Sequence, residues 1–368
     1  MLIGVPKEIK AQENRVGLNP SSVAECVHHG HKVIVQAGAG QGILASDDDY
    51  RAAGAQITDK ANEIFAKADM IVKVKEPQEP EWKQLREGQV LFTYLHLAPD
   101  PKQAKGLMDS GCTAIAYETV TSARGGLPLL APMSEIAGRM APIMGAFFLQ
   151  KHKGGRGRLI CGVPGVEASK VLVLGGGVSG FNAARVAMGM GARVTVIEKN
   201  PDRIRYLDEF FGTSINIVAA SKSKIEHYVP QMDMVIGAVL VPGGAAPRLV
   251  SRDMLGGMKD GAILVDIAID QGGCFETSRI TTHQEPVYEV DGVLHYCVAN
   301  MPGAYPHSST QALNNATLPY VLALADKGWK QAVADDVHLK NGLNVHAGKI
   351  MHPAVAEALG QSYTPLTA

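Results

Sequence analysis

Apolar positions along the chain fall into short runs separated by amphipathic stretches. Leu2–Val5, Lys32–Gln36 (KVIVQ), Met70–Val74 (MIVKV), Val90–Leu95 (VLFTYL) and Thr113–Tyr117 read as strands. Helices are expected between them. The first has Asn19 as its cap and Pro20 as its first helical position, and closes on Gly30. Others lie near 48–53, 61–68, 81–86 and 102–109. Strands alternating with helices in this way predict a parallel sheet covered on both faces.

After Pro132-Met133, Ser134-Glu135 opens a long helix of apolar and small residues (IAGRMAPIMGAFFLQKH) that runs into Gly154-Gly155-Arg156-Gly157. This is the candidate boundary between two domains. From Lys170 the pattern restarts with KVLVLGGG, a helix, ARVTVIE, a helix from Pro201, then DMVIGAVLV, AILVDIAID and HYCVANMPG. A helical region from about Ser308, interrupted at Pro319, leads to the C-terminal segment.

Length agrees with the pattern, since 368 residues suffice for about two domains that each bury a core. With 35 basic and 36 acidic side chains the formal charge is -1, so the chain has no field with which to seek nucleic acid or an anionic membrane. Met1–Lys10 has no apolar segment behind a basic start, and no apolar run approaches the ~18 residues of a spanning helix. A soluble, cytoplasmic protein is expected. The five cysteines (26, 112, 161, 274 and 297) are scattered and form no C-x-x-C pair, which is thiol usage for a reducing compartment and predicts neither disulfides nor a metal site.

The strongest motif is Gly175-Gly176-Gly177-Val178-Ser179-Gly180, a G-x-G-x-x-G that follows the apolar run VLVL, opens a helix, and precedes a second strand ending in Glu198. Each part has a physical task. Gly175 permits the tight turn, Gly177 lets a pyrophosphate approach the backbone at the helix N-terminus, and Gly180 lets helix and strand pack closely. Glu198 is expected to accept hydrogen bonds from the adenosine ribose and to repel a 2′-phosphate, favouring NAD over NADP; Lys199 and Arg203 weaken that preference without reversing it. Gly38, Gly40 and Gly42 also follow a strand, but ILASDDDY comes next and no helix opens directly, so these read as loop glycines.

Three ionisable residues, Lys75, His96 and Glu118, lie just beyond the carboxyl ends of three strands of the first half, the edge at which open α/β sheets bind ligands. Arg15, in the loop ENRVGLNP, offers a planar fork for a carboxylate, and Lys75 a second positive charge. His96 is suited to proton transfer. In the second half Asp270 precedes two glycines, as expected where backbone passes close to a ligand, whereas Asp266 reads as structural. No H-E-x-x-H, Cys/His cluster or G-x-S-x-G supports metal-assisted or serine hydrolysis.

The blocks GVPKEIKAQENRVGLNP, VKVKEP, FTYLHLA, AYETV, LPLLAPMSEIAGR, GGRG, GVPGVE, GAVLVPG, LVDIAIDQGGCFE and VANMPG together resemble the alanine dehydrogenase and pyridine-nucleotide transhydrogenase family over nearly the whole chain. The resemblance implies an α/β fold of two doubly wound, Rossmann-like domains with a cleft between them, linked by long helices. A substrate domain would comprise 1–130 plus 308–368, and an NAD-binding domain 131–307. It implies Arg15 and Lys75 as substrate contacts, with His96 as acid/base and Asp270 as the second catalytic residue. NAD contacts would come from Ser134, Val178, Glu198, Arg203, Val239, Leu240, Ile267, Asp270, Arg279, Val298, Asn300 and Met301, beside the loop glycines 175, 177 and 180. The family often has Asp where this chain has Glu198, which retains the carboxylate.

The implied activity is NAD-dependent, reversible oxidative deamination of L-alanine to pyruvate and ammonia, with a homohexamer as the implied assembly. Two other readings compete. The chain could be the soluble NAD-binding component of a transhydrogenase, which needs a membrane partner, or an NAD-sensing regulator that binds without turnover. Lys75, His96 and a carboxylate clamp favour chemistry on a small substrate.

Overall fold

The computed structural model describes residues 1–239 and 246–366. The strands in chain order are β1 (Leu2–Val5), β2 (Lys32–Gln36), β3 (Gln56–Thr58), β4 (Met70–Val72), β5 (Val90–Thr93), β6 (Thr113–Ala116), β7 (Lys170–Leu174) and β8 (Arg193–Glu198). There follow β9 (Asn216–Ala219), β10 (Met234–Gly237), β11 (Ile263–Asp266), β12 (Val287–Val290), β13 (Val293–Tyr296), β14 (Leu343–His346) and β15 (Lys349–Ile350). The chain divides into two compact units, Met1–Met133 with the segment from Tyr305 onward, and Ser134–Ala304.

The first unit is built on a sheet of order β15-β14-β6-β5-β4-β1-β2-β3, parallel from β6 to β3. β4, β5 and β6 are buried along their whole length, as required of strands covered by helices on both faces. The chain reverses its direction of travel between β1 and β4, so the switch point lies where the loops after Val5 and Val72 emerge. The helix Pro20–His28 starts as the sequence predicts, with the Asn19 side chain accepting from the Ser22 amide and Pro20 at the first position.

The second unit repeats the design with order β12-β13-β11-β10-β7-β8-β9, and here the switch point lies between β7 and β10. Its core runs along one face of β7, β8, β10 and β11 and includes Val171, Val173, Val196, Ile236 and Val265 with Ala183, Ala184 and Ala187 of the helix Val178–Gly189.

Three features differ from the sequence reading. The sheets are not wholly parallel, because β12 pairs antiparallel with β13, β14 with β6, and β15 with β14. Tight turns account for the β12–β13 and β14–β15 pairs, whereas β14 joins β6 from the far end of the chain. Asp291-Gly292 and Ala347-Gly348 both have positive φ at both positions, the backbone that joins antiparallel neighbours. β4 and β5 also stop short of the predicted Val74 and Leu95, since the amides of Val74 and Lys75 are taken by the Glu8 carboxylate and those of Leu95 and His96 by the Glu118 carboxylate. Finally, the helix expected over 81–86 is a single turn, Glu79–Trp82.

Candidate functional site

In the second unit, topology delivers the residues expected to hold a nucleotide to one sheet edge. Gly175–Gly177 follow β7, Val239 follows β10, Ile267 and Asp270 follow β11, Val298, Asn300 and Met301 follow β13, and Glu198 ends β8. Leu240 lies outside the described residues. Ser134 sits in the helix Ala131–Phe148, and Arg279 lays its guanidinium over the Tyr288 ring at 4.1 Å.

The three cradle glycines are required by different contacts. Gly175 has φ +92°, and a Cβ there would lie 2.8 Å from Val239 Cγ2. At Gly180 a Cβ would come within 1.8 Å of the Gly175 carbonyl oxygen, so helix and strand pack too closely for any side chain. Gly177 faces open space, and it caps the helix Val178–Gly189 with no side chain accepting from the first turn. Unsatisfied amides at the positive end of a twelve-residue helix beside open space fit a pyrophosphate. Val178, in that first turn, leaves 45% of its surface exposed, an apolar face available to a ligand.

Glu198 and Arg203 hold the glycine loop from opposite sides. Glu198 Oε2 accepts from the Gly176 amide at 2.6 Å, while Oε1 accepts from the Lys199 and Asn200 amides at 2.7 Å each. Arg203 Nε donates to the Gly176 carbonyl at 2.5 Å and its guanidinium packs 4.4 Å from the Tyr206 ring. Arg203 is therefore turned toward the loop. A carboxylate has about four acceptor sites, so Glu198 retains capacity for a ribose hydroxyl.

Asp270 lies exposed in the single turn Ile269–Gln271, and the chain then turns through Gly272 and Gly273 at φ +92° and +82°. Asp266 fastens this loop: Oδ1 accepts from the Ala268 amide at 3.1 Å, and Oδ2 accepts from the Cys274 amide at 2.8 Å and from the Ser278 hydroxyl. Burial pushes the Asp266 carboxyl up to about 6, against the pull of those donors. An acid whose pKa is raised on folding binds its proton more tightly in the native state. Its contribution is thus full below the unfolded value near 3.8 and is lost as pH rises through about 6. The loss is on the order of 3 kcal/mol at about 1.4 kcal/mol per pH unit. Urea unfolding of the wild type should show this decline between pH 4 and 7, and Asp266→Asn should flatten it; an equal slope in both proteins assigns the decline to another group.

In the first unit, Arg15 is 2% exposed and paired bidentately with Glu13, through Nε to Oε1 at 2.7 Å and Nη2 to Oε2 at 2.5 Å. Its Nη1 points at Met133 Sδ, 3.0 Å away. Burial opposes the charge on Arg15, but Glu13 more than compensates and keeps the guanidinium ionised. Lys75 follows β4, with Nζ 3.8 Å from Glu76 Oε2, and Glu76 also pairs with Lys10.

His96 lies beyond β5 with φ +47°, a conformation a non-glycine residue holds only when its surroundings impose it. Glu118 imposes it by accepting from the His96 amide at 2.6 Å and from the Leu95 amide at 3.1 Å. The imidazole is 44% exposed, lies parallel to the Tyr94 ring at 5.8 Å, and has Nδ1 4.0 Å from Glu118 Oε1. Tyr94 is buried, donates to the Leu129 carbonyl at 2.6 Å, and feels the charges of both Arg15 and Glu118. Arg15, Tyr94, His96 and Glu118 thus form one neighbourhood. Glu13 and Tyr94 were not apparent from sequence: Glu13 reads as surface charge in a polar loop, and Tyr94 as strand core.

Among the described residues no group of three or more His, Cys, Asp or Glu could hold a metal ion, and no helix is long and apolar enough to cross a membrane.

Comparison with known proteins gives a consistent picture. Residues 4–137 match the family model "Alanine dehydrogenase/PNT, N-terminal domain" and residues 141–353 match its C-terminal counterpart. The alanine dehydrogenase of Halomonas elongata is 58% identical over 363 residues, covering 99% of this chain and 98% of that protein. A solved L-alanine dehydrogenase superposes with a TM-score of 0.95 at 50% identity, covering 98% of this chain and 99% of the other. The transhydrogenase from Sinorhizobium meliloti superposes with a TM-score of 0.81 at 26% identity, covering 96% and 100%.

Proposed function

Since the chain belongs to the alanine dehydrogenase and pyridine-nucleotide transhydrogenase family, we propose that it catalyses the NAD-dependent, reversible oxidative deamination of L-alanine to pyruvate and ammonia. The observation that carries this reading is the Arg15–Tyr94–His96–Glu118 neighbourhood. It pairs a buried cation suited to a carboxylate with an exposed, strained histidine suited to moving protons. A chain that only bound nucleotide would have no use for either.

In this mechanism Arg15 and Lys75 bind the carboxylate and the carbonyl or amino end of the substrate. NAD, which the glycine cradle and Glu198 would hold, would supply the acceptor for the α-hydride of alanine. His96 then moves the protons of the water that adds to the resulting iminium and of the ammonia that leaves, while Asp270 serves beside the nicotinamide ribose. Support for NAD comes from the cradle: open space at Gly177, an uncapped helix N-terminus, and a carboxylate at Glu198 where the adenosine ribose would lie. On family resemblance the enzyme is a cytoplasmic homohexamer.

Reductive amination tests the reading. With pyruvate, ammonium and NADH the purified protein should consume NADH and accumulate L-alanine. A transhydrogenase component would bind NADH and leave it unconsumed.

The cofactor assignment has its own test. Wild type should prefer NAD to NADP strongly, because a 2′-phosphate would face a like charge at Glu198. Glu198→Ala should narrow the kcat/KM ratio of NAD to NADP at least tenfold (~1.4 kcal/mol), although the Gly176 amide also loses its acceptor and NAD turnover falls. An unchanged ratio would move the ribose-reading residue elsewhere.

A further inference from the structure

Lys73 is entirely buried, and its ammonium lies between two buried carboxylates, 2.9 Å from Glu8 Oε2 and 2.7 Å from Glu81 Oε1. The three groups come from separate places: Glu8 from the loop after β1, Lys73 from the end of β4, and Glu81 from the helix Glu79–Trp82. Burial disfavours the charge on Lys73, and the two carboxylates more than reverse this. Such a cluster is a poor device for stability, because well-packed apolar side chains of similar size usually serve as well or better. Its presence calls for another product.

That product is visible at Glu8. Its second oxygen, Oε1, accepts from the Val74 amide at 2.7 Å and from the Lys75 amide at 3.4 Å, taking the two amides at which the β4 ladder ends. The Lys75 carbonyl accepts from Thr93 Oγ1 at 2.9 Å, and the Lys73 carbonyl from the Tyr117 hydroxyl at 3.0 Å. Backbone on both sides of Lys75 is therefore pinned by side chains, and the strongest pin is a carboxylate that the Lys73 ammonium holds in place. Glu81 anchors the other side, since its Oε2 accepts from the Gln78 amide at 2.7 Å and starts the helix that covers the cluster.

We propose that Glu8, held by Lys73 and Glu81, is a positioning residue for Lys75, setting the backbone from which Lys75 reaches the substrate. The proposal rests on the reading of Lys75 as a substrate contact. Glu8→Gln keeps the size, but an amide has one acceptor oxygen and cannot serve both Lys73 and the backbone amides.

The test reads the Kd of pyruvate from the enzyme–NADH complex by NADH fluorescence, in single and double variants. Glu8→Gln should weaken pyruvate about tenfold, the size of one charge-assisted hydrogen bond, while the Kd of NADH, bound by the other unit, stays unchanged. In a Lys75→Met background the same substitution should change the pyruvate Kd less than about twofold, because the group it positions is gone. If Glu8→Gln fails to fold, Glu8→Asp keeps the charge beside Lys73 but is a methylene too short to span to the amides, and the same pair of measurements applies. A folded Glu8 variant with wild-type pyruvate affinity overturns the proposal, as does an equal loss whether residue 75 is Lys or Met. If Lys75→Met alone leaves pyruvate affinity unchanged, the reading of Lys75 fails first and the proposal falls with it.

Discussion

Replacing His96 with Gln should lower kcat by about 10²–10⁴-fold, the usual span for a lost general acid/base, while leaving NADH binding intact. The structure gives reasons to expect an effect on chemistry in preference to folding. The imidazole is nearly half exposed, so little packing is lost, and its contacts are a parallel Tyr94 ring and a Glu118 carboxylate at 4.0 Å. The φ of +47° is imposed by hydrogen bonds that the His96 and Leu95 main-chain amides donate to Glu118, and these survive the substitution. The side chain is thus carried on a strained backbone that the fold maintains, a pattern that accompanies functional residues. A His96→Gln enzyme that keeps its rate would reduce the histidine to a surface residue.

Arg15→Ala should have two separable consequences. Loss of the carboxylate clamp should raise KM for alanine and pyruvate by about 2–3 kcal/mol, roughly 30- to 150-fold, with little change in NADH affinity. The same change leaves Glu13 buried without its cation, which should cost about 3–5 kcal/mol of stability. Arg15→Ala combined with Glu13→Gln removes the orphaned charge, so the double variant should recover most of the lost stability and none of the lost affinity. Recovery of KM as well would mean that Arg15 serves only to neutralise Glu13.

The pairing of Arg15 with Glu13 also marks where sequence reading ends. The doubly wound pattern, the glycine cradle and the positions of Lys75 and His96 at strand ends follow from local signals: apolar runs, a strand-turn-helix motif, and the rule that ligands gather at carboxyl ends. The Asp291-Gly292 hairpin carries an equally local signal, because that dipeptide between two apolar runs marks a turn. The Glu8–Lys73–Glu81 cluster was not readable in the same sense. Lys73 alternates with apolar neighbours as any half-exposed strand residue does, and its partnership with Glu8 spans 65 positions of sequence. Long-range pairing of charges leaves no periodicity behind. For the same reason Glu198 appeared only as a ribose ligand, whereas its carboxylate also fastens the Gly176 amide across 22 positions.

If this chain moves a hydride from the α-carbon of L-alanine to NAD, an isotope at that carbon follows the hydride. The most direct measurement supplies L-alanine deuterated at Cα together with NAD, and analyses the products. Deuterium should appear in the NADH formed, with pyruvate and ammonia released in equal amounts. NADH without deuterium, or no NADH from L-alanine by a folded protein that binds NAD, would contradict it.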